Sequence, residues 1–212
     1  MNIALDPDTH LELIRVDHAA AMFRLIDQHR PYLQKWLGFV DRTHSVADVL
    51  DYAEEAQRRA IAGTEYAFAI FHMDHMVGRA ALHKIDTGRR TGELAAWLAV
   101  HEVVMLRRAR PRPGAERRGT RIVDQAMRAL ISFGFNTLQL KRIEIRTAVQ
   151  NAPANAVAKR LNFTLAGIIP QSKQLRNTHN DVALYYLDAA DAGASMIAAP
   201  DSGPTRLDPM GP

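Results

Sequence analysis

Apolar residues recur at spacings of three and four positions in several parts of the chain, which is typical of amphipathic helices. The pattern predicts helices over residues 18–28, 31–37, 45–62, 120–131 and 151–161. Ser45 and Asp48 form a capping pair at the start of the third helix, and Gly63 ends it. Thr120 is the predicted N-cap of the fourth helix, and Asn162 takes the left-handed position that follows the fifth.

Other segments are apolar or alternate between apolar and polar residues, which is typical of strands. They are residues 11–15, 66–71, 76–85, 93–100, 143–149, 165–169 and 181–187, with turn-rich residues 176–180 between the last two. The second, third and fourth strands follow one another through short turns, which predicts an antiparallel meander. Residues 101–119 have no clear period and contain two prolines, so little regular structure is expected there. Small residues without a period predict a disordered tail over 188–212, so one domain spans 1–187.

The composition excludes several kinds of site. The 212 residues include no cysteine, which excludes disulfides, thiolate metal sites and an acyl-cysteine intermediate. No run of consecutive apolar residues is long enough for a membrane span. The N-terminus lacks the pattern of a signal peptide, so the cytoplasm is the expected location. His72, Asp74, His75 and His83 are close in sequence, but a hairpin turn explains them and no metal site is predicted.

Positive charge is concentrated in one segment of the chain. The net charge is +4, and seven arginines fall between residues 107 and 121. Such a cluster marks an anion site, a nucleic-acid site or a solvated loop. Since aromatic residues are not interleaved with the arginines, a nucleic-acid partner is not expected. A basic module that binds RNA or the ribosome is kept as an alternative function.

Several blocks in a fixed order carry a family resemblance. They are YLQKWL at 32–37, GELAAWL at 92–98, and the segments 126–135, 140–146 and 151–167. Together they resemble the GNAT N-acetyltransferases of the RimJ/RimL type, over roughly residues 10–187. The resemblance implies an α/β GNAT fold with a mixed, mostly antiparallel central sheet flanked by helices. It also implies direct transfer of an acetyl group from acetyl-CoA, without a metal, to a protein N-terminus or a small amine. A ribosomal protein is one such acceptor, and a homodimer is compatible with the resemblance.

The resemblance also assigns residues to the site. Cofactor contacts fall on the strand residues Leu98 and Val100, on the loop residues Arg117, Arg118, Gly119, Thr120 and Arg121, and on Asn151 and Asn155. Tyr32 and Trp36 are assigned to the wall of the acceptor site, although aromatic residues at helical spacing also suit a core. The resemblance supplies no general base, but from their chemistry and position on the strands Glu93 is the candidate base, acting through water, with His83 as a second candidate. Asn151 could instead be a plain helix cap.

The sequence departs from the family pattern where the pyrophosphate of coenzyme A should bind. The loop up to Gly119 is long, and Glu116 and Arg121 replace the usual residues of the phosphate-binding motif. One explanation is an arginine-rich phosphate site, and the other is a reading-frame shift between residues 101 and 120. Ala154 also stands where the family has a serine. A catalytically impaired or regulatory protein with the GNAT fold is therefore the second alternative function.

Overall fold

Strands of one mixed sheet form the centre of the molecule. The computed structural model describes residues 1–99, 115–175 and 178–196, with side chains for 1–99, 121–171 and 179–192. Within these residues the strands are β1 (Asn2–Asp6), β2 (Thr9–Leu13), β3 (Tyr66–His72), β4 (His75–Asp86), β5 (Thr91–Leu98), β6 (Arg142–Ala148), β7 (Thr164–Leu175) and β8 (Thr178–Asp188). Their order is β1-β2-β3-β4-β5-β6-β8-β7, and β5 and β6 form the parallel pair among antiparallel neighbours. The predicted mixed, mostly antiparallel sheet and its meander are confirmed.

Helices cover both faces of the sheet. They are α1 (Ala19–Gln28), α2 (Arg30–Leu33), α3 (Val46–Ile61), α4 (Ala115–Ser132), α5 (Ala152–Arg160) and α6 (Ala189–Met196), with 3₁₀ turns at Val16–His18 and Gly38–Arg42 and a π-helical turn at Phe133–Thr137. None of the helices in the described part of the chain is long and apolar enough to cross a membrane.

The core consists of two apolar clusters, one on each face of the sheet, because successive strand residues point to opposite sides. On β5, Leu94 and Leu98 belong to the cluster that includes Ile122 and Leu130 of α4. Trp97 belongs to the other cluster, beneath α1 and α3. This second face is where the candidate acceptor residues and the cavity described last are found.

Local signals for the ends of two helices are confirmed. The Ser45 hydroxyl accepts a hydrogen bond from the Asp48 amide at 3.4 Å, while the Asp48 carboxylate accepts one from the Ser45 amide at 2.8 Å. Gly63 after α3 has φ +72° and Asn162 after α5 has φ +61°, both in the left-handed region. These residues terminate their helices through backbone conformations that the neighbouring sequence alone specifies.

The start of α4 differs from the prediction. The helix begins at Ala115, so Thr120 lies inside it and is not its N-cap. The apolar stripe on which the prediction rested begins only at Ile122, one turn or more after the helix starts. Residues 115–119, expected to lack regular structure, therefore form the first turn of α4.

The C-terminal part of the sheet is longer than predicted, and a further helix follows it. The β7–β8 ladder reaches Leu175 and Thr178, so residues 178–180 belong to a strand rather than to a turn. Residues 189–196 were expected to be disordered but form α6, in which Ala192 is buried. Residues 176–177 and 197–212 lie outside the described residues. Strand β1, which pairs with β2, was not predicted at all.

Candidate active site

The two parallel strands separate soon after they meet. β5 and β6 pair at Thr91 with Arg142, Gly92 with Ile143 and Glu93 with Glu144. From Leu94 onwards β5 stays paired with β4, and β6 stays paired with β8, but no pairing joins β5 to β6. A V-shaped gap therefore opens in the sheet, with Glu93 at its closed end.

Backbone groups of β5 point into this gap. The Ala99 amide donates to the Val77 carbonyl at 2.8 Å, which directs the odd-numbered residues of β5 toward β4. Since successive residues of an antiparallel strand direct their backbone groups to opposite edges, those of Leu94, Ala96 and Leu98 face the gap. N–H groups fixed in this way can polarise a carbonyl oxygen without any side chain.

A cleft of about 310 Å³ lies at the open end of the gap. Its walls come from α2 and the turn after it, from β5, from α4 and from α5: Tyr32, Leu33, Trp36, Leu37, Ala96, Trp97, Leu98, Val123, Asn151, Pro153, Ala154, Ala156, Val157 and Arg160. Most of these side chains are apolar, which suits an apolar arm and a short acyl group. The predicted residues Tyr32, Trp36, Leu98 and Asn151 thus lie together in one cleft.

The two predicted asparagines hold the loop that carries α5. Asn151 Oδ1 accepts a hydrogen bond from the Ala154 amide at 3.2 Å, so Asn151 caps α5 and also lines the cleft. The Asn155 amide group donates to the carbonyls of Ala148, Val149 and Asn151 at 2.7–3.2 Å. Its Oδ1 accepts from the Tyr185 hydroxyl at 2.9 Å. Asn155 does not line the cleft, and its contacts fix the position of Asn151.

Residues 9–164 match the model of the acetyltransferase (GNAT) domain family. The chain belongs to this family. The predicted membership and the GNAT fold are confirmed, and the protein is an acyl-CoA-dependent acetyltransferase.

Relatives of this GNAT protein carry related names. It is 25% identical over 183 residues to the ribosomal-protein-serine acetyltransferase of Escherichia coli (strain K12), covering 86% of this chain and 94% of that protein. It is 26% identical over 178 residues to the putative ribosomal N-acetyltransferase YdaF of Bacillus subtilis (strain 168), covering 84% and 89%. A solved structure of RimL, the ribosomal L7/L12 alpha-N-protein acetyltransferase, in complex with coenzyme A has a TM-score of 0.78 at 22% identity, covering 91% and 99%. The fold and these relatives are those of the RimJ/RimL type.

The predicted base of the GNAT protein, Glu93, points to the face of the sheet that α1 and α3 cover in part. Its carboxylate lies 3.0 Å from Lys84 Nζ and 3.0 Å from Arg146 Nε, and its side chain is 13% exposed. His83 faces Glu93 across the β4–β5 pair. Burial lowers the pKa of His83, although the Glu93 carboxylate opposes this shift. His83 is therefore held in its neutral form near pH 7, while neither residue lines the cleft.

The arginine-rich segment is described only in part. Val100 and the side chains of Arg117, Arg118, Gly119 and Thr120 lie outside the described residues. Because α4 begins at Ala115, the free N–H groups of its first turn include those of residues 115–117, which overlap the predicted phosphate contacts only at Arg117. The Arg121 side chain is exposed and does not line the cleft.

Arg160 lines the cleft although sequence reasoning did not single it out. Its guanidinium forms two hydrogen bonds, at 2.9 and 3.0 Å, to the Asp124 carboxylate of α4. Hydrogen bonding to Asp124 raises the pKa of Arg160, so the side chain stays charged. The partner lies 36 positions earlier in the chain, so local sequence gave no sign of this pair. Among the described residues, no cluster of His, Asp or Glu side chains suits a metal ion.

Proposed function

We propose that this protein transfers an acetyl group from acetyl-CoA directly to a primary amine, and that the amine is the α-amino terminus of a ribosomal protein. The observation that carries the proposal is the gap between β5 and β6, where the backbone N–H groups of Ala96 and Leu98 face a cleft. Donors fixed in this position can polarise a thioester carbonyl. The acceptor class is supported by the names of the relatives that acetylate ribosomal proteins.

The side chains of the protein position the two reactants and form no covalent intermediate with the acetyl group. Acetyl-CoA supplies the acetyl group as a thioester. The ammonium group first loses one proton, the neutral amine nitrogen then bonds to the carbonyl carbon, and the carbon–sulfur bond breaks. The nitrogen loses a second proton as the amide forms, and the released sulfur takes up one proton. Since the chain has no cysteine, no acyl-cysteine can form and direct transfer is proposed. Tyr32 and Trp36 orient the amine from one wall, and Leu98 and Asn151 bound the acyl arm.

An α-amine is proposed because the described walls of the cleft offer no strong base. The described residues that line it include no Asp, Glu or His side chain. A lysine side chain, with a pKa of about 10.4, would reach the cleft almost wholly charged at pH 7, whereas an α-amino group has a pKa of about 7.7–8.0. The α-amino group is the weaker base, so it loses its proton without a side chain that contacts it directly. It is therefore the better acceptor for this site.

We also propose that the charged groups near the cleft hold the phosphates of coenzyme A. Arg160 lies in the cleft wall at the end of α5. Arg117 and Arg118 lie in the first turn of α4, where free backbone N–H groups favour an anion. Gly119, Thr120 and Arg121 follow within the next turn. Val100 stays a predicted contact.

The cytoplasm and a homodimer remain part of the proposal. Ribosomal proteins, which the related enzymes are named for, are made and assembled in the cytoplasm of bacteria. Size-exclusion chromatography with light scattering tests the homodimer, and a mass of one chain at micromolar concentration would contradict it.

Ala154→Trp is expected to weaken acetyl-CoA binding at least tenfold, because the indole would occupy the cleft beside the Asn151 cap. Isothermal titration with acetyl-CoA measures the change. Ala152→Trp is the matched control, since Ala152 is exposed on the same turn and does not line the cleft. An equal loss in both variants would contradict the proposed cleft. If the unaltered chain fails to bind millimolar acetyl-CoA, it is instead a catalytically impaired GNAT-fold protein.

Glu93→Gln is expected to lower kcat roughly 30-fold, below the range of about 100- to 10,000-fold for a base that touches its substrate. The reason is that Glu93 lies at the closed end of the gap and can accept the ammonium proton only through water. Glu144→Gln is the matched control, because Glu144 faces Glu93 on β6 and also contacts Arg146. Steady-state rates with an N-terminal peptide measure both variants. Unchanged kcat in Glu93→Gln would remove Glu93 from the mechanism.

A further inference from the structure

A second cavity lies on the other side of Trp97 from the gap in the sheet. It has a volume of about 260 Å³ and is lined by the apolar side chains of Met22 and Ile26 from α1 and Val49 from α3. Tyr52, Arg79 and Trp97 add polar atoms to its wall, and Phe39, Arg42, Thr43 and Asp48 complete it. We call it the inner cavity, and no step of the proposed reaction uses it.

Three buried polar atoms in the wall of the inner cavity lack a well-formed hydrogen bond, although the Tyr52 hydroxyl and the Arg79 guanidinium interact with each other. They are Tyr52 Oη, Arg79 Nε and Trp97 Nε1, and they make up three of the four such side-chain atoms found among the described residues. Buried polar atoms in proteins are nearly always paired, because an unpaired one loses its bond to water without compensation. Three in one cavity indicate a partner that occupies it.

The rest of each side chain is held in place, so the free groups cannot turn away to other partners. The Arg79 guanidinium forms a hydrogen bond of 2.6 Å to Glu65 Oε1, and Glu65 Oε2 is bound by Arg59 at 3.1 Å. Arg79 also lies over the Tyr52 ring, at 5.3 Å from the ring centre. The Trp97 ring packs against the Phe39 ring, with 6.3 Å between the ring centres. The free atoms are therefore fixed at the cavity wall before any ligand arrives.

The chemistry of the three atoms selects the ligand. Arg Nε and Trp Nε1 can only donate hydrogen bonds. Burial raises the pKa of Tyr52, so its hydroxyl keeps its proton and can donate as well. The rest of the wall combines apolar side chains with those of Arg42, Thr43 and Asp48, and the Asp48 carboxylate already accepts hydrogen bonds from the backbone amides of His44 and Ser45. A fitting ligand therefore presents an oxygen acceptor to the three donors on a short apolar body.

We infer that the inner cavity binds a short aliphatic group that ends in a carbonyl or carboxylate oxygen, with Arg79, Trp97 and Tyr52 as its hydrogen-bond donors. Trp97 lines both the inner cavity and the cleft of the proposed acetyl transfer. A ligand bound in the inner cavity therefore affects the shape of the cleft through Trp97. Such a group can come from the acceptor itself or from a free carboxylic acid. Where it comes from the acceptor, the inference rests on the proposed function.

Hexanoate is the probe that tests the cavity, with 1-hexanol and hexylamine as ligands of the same length that lack a carbonyl or carboxylate oxygen. Saturable binding of hexanoate to the unaltered chain, at least tenfold tighter than either control ligand, is expected in calorimetry. The chain has two tryptophans, Trp36 and Trp97, so the Trp36→Phe variant makes Trp97 the single fluorescent reporter of the cavity. A hexanoate-dependent change in its emission is expected. No binding at tens of millimolar would overturn the inference and leave a cavity filled by water.

Two variants place the binding in the inner cavity. Tyr52→Phe removes one donor and keeps the ring, and Val49→Phe fills the cavity, so each is expected to weaken hexanoate binding at least fivefold. Tyr66→Phe is the matched control, because Tyr66 packs against Phe133 on the other face of the sheet. Circular dichroism and acetyl-CoA titration check that each variant is folded. Hexanoate binding that is unaffected by both cavity variants would overturn the inference.

A competition experiment with the unaltered chain distinguishes the two possible sources of the ligand. If the acceptor occupies the cavity, a saturating N-terminal peptide displaces hexanoate. If a free acid is the natural ligand, peptide and hexanoate bind together. Acetyl-CoA affinity is measured on the same samples, so intact acetyl-CoA binding without hexanoate binding overturns this inference alone and leaves the proposed function standing.

Discussion

Gly78→Ala is expected to destabilise the protein by about 3 kcal/mol or more, the upper part of the range for overpacking. A Cβ atom at Gly78 would run into the backbone carbonyl oxygen of Trp97 and would lie 3.0 Å from Leu98 Cα. Both obstacles are backbone atoms of the neighbouring strand, so they cannot move aside like the end of a side chain. The β4–β5 pair would have to separate at Gly78 and Leu98, beside the cleft.

Thermal unfolding measures this loss, which corresponds to a fall in Tm of roughly 6–12 °C for a chain of this size. Gly38→Ala is the matched control, because nothing lies within 4 Å of a Cβ atom placed there. We expect the control to change the unfolding free energy by no more than about 0.5 kcal/mol, as is usual at exposed sites. Equal Tm values for the two variants would show that β4 and β5 are not packed as closely as described.

Features determined by neighbouring residues were predictable from the sequence. The capping pair of Ser45 and Asp48 spans three positions, and Asn162 ends α5 by its own backbone conformation. The meander of β3, β4 and β5 follows from alternating residues and short turns. In each case the partners are close in sequence, so a short window contains all the determinants.

Features that depend on distant partners were not predictable, even where the family was identified. Asn155 was assigned to the cofactor, but its amide is occupied by nearby carbonyls and by Tyr185, which lies 30 positions away. Likewise, Arg160 reaches the cleft with its charge paired to Asp124 of another helix. A motif identifies such residues as important without giving the contacts that they make.

Helix ends with unusual composition were misinterpreted for a physical reason. The small residues of α6 predict a tail, yet alanine has the highest helix propensity and Ala192 packs into the core. The first turn of α4 has charged residues and a glycine in place of an apolar stripe, so periodicity gave no signal there. Hydrophobic periodicity detects the face that packs, and both segments have little of such a face.

An N-terminal α-amine is expected to be acetylated several hundredfold faster than a lysine side chain at pH 7, as measured by kcat/KM. About 14% of an α-amine with a pKa near 7.8 is neutral at this pH, compared with about 0.04% of a lysine with a pKa near 10.4. The described residues of the cleft wall include no base that could remove the difference by taking a proton directly. Two peptides of the same length test this, one with a free N-terminus and no lysine, the other N-acetylated with a single lysine.

The pH dependence separates this explanation from simple exclusion of lysine by the shape of the cleft. If the neutral amine is the reacting form, kcat/KM for the α-amine peptide rises tenfold per pH unit below its pKa and levels off near pH 8. For the lysine peptide it continues to rise through pH 9, so the preference between the peptides is nearly constant below pH 7 and shrinks more than tenfold between pH 7 and pH 9. A preference that stays constant from pH 6 to pH 9 would mean that the walls around Tyr32 and Trp36 select the acceptor by shape. A lysine rate equal to the α-amine rate at pH 7 would require a base in the cleft, and would contradict the proposed acceptor class.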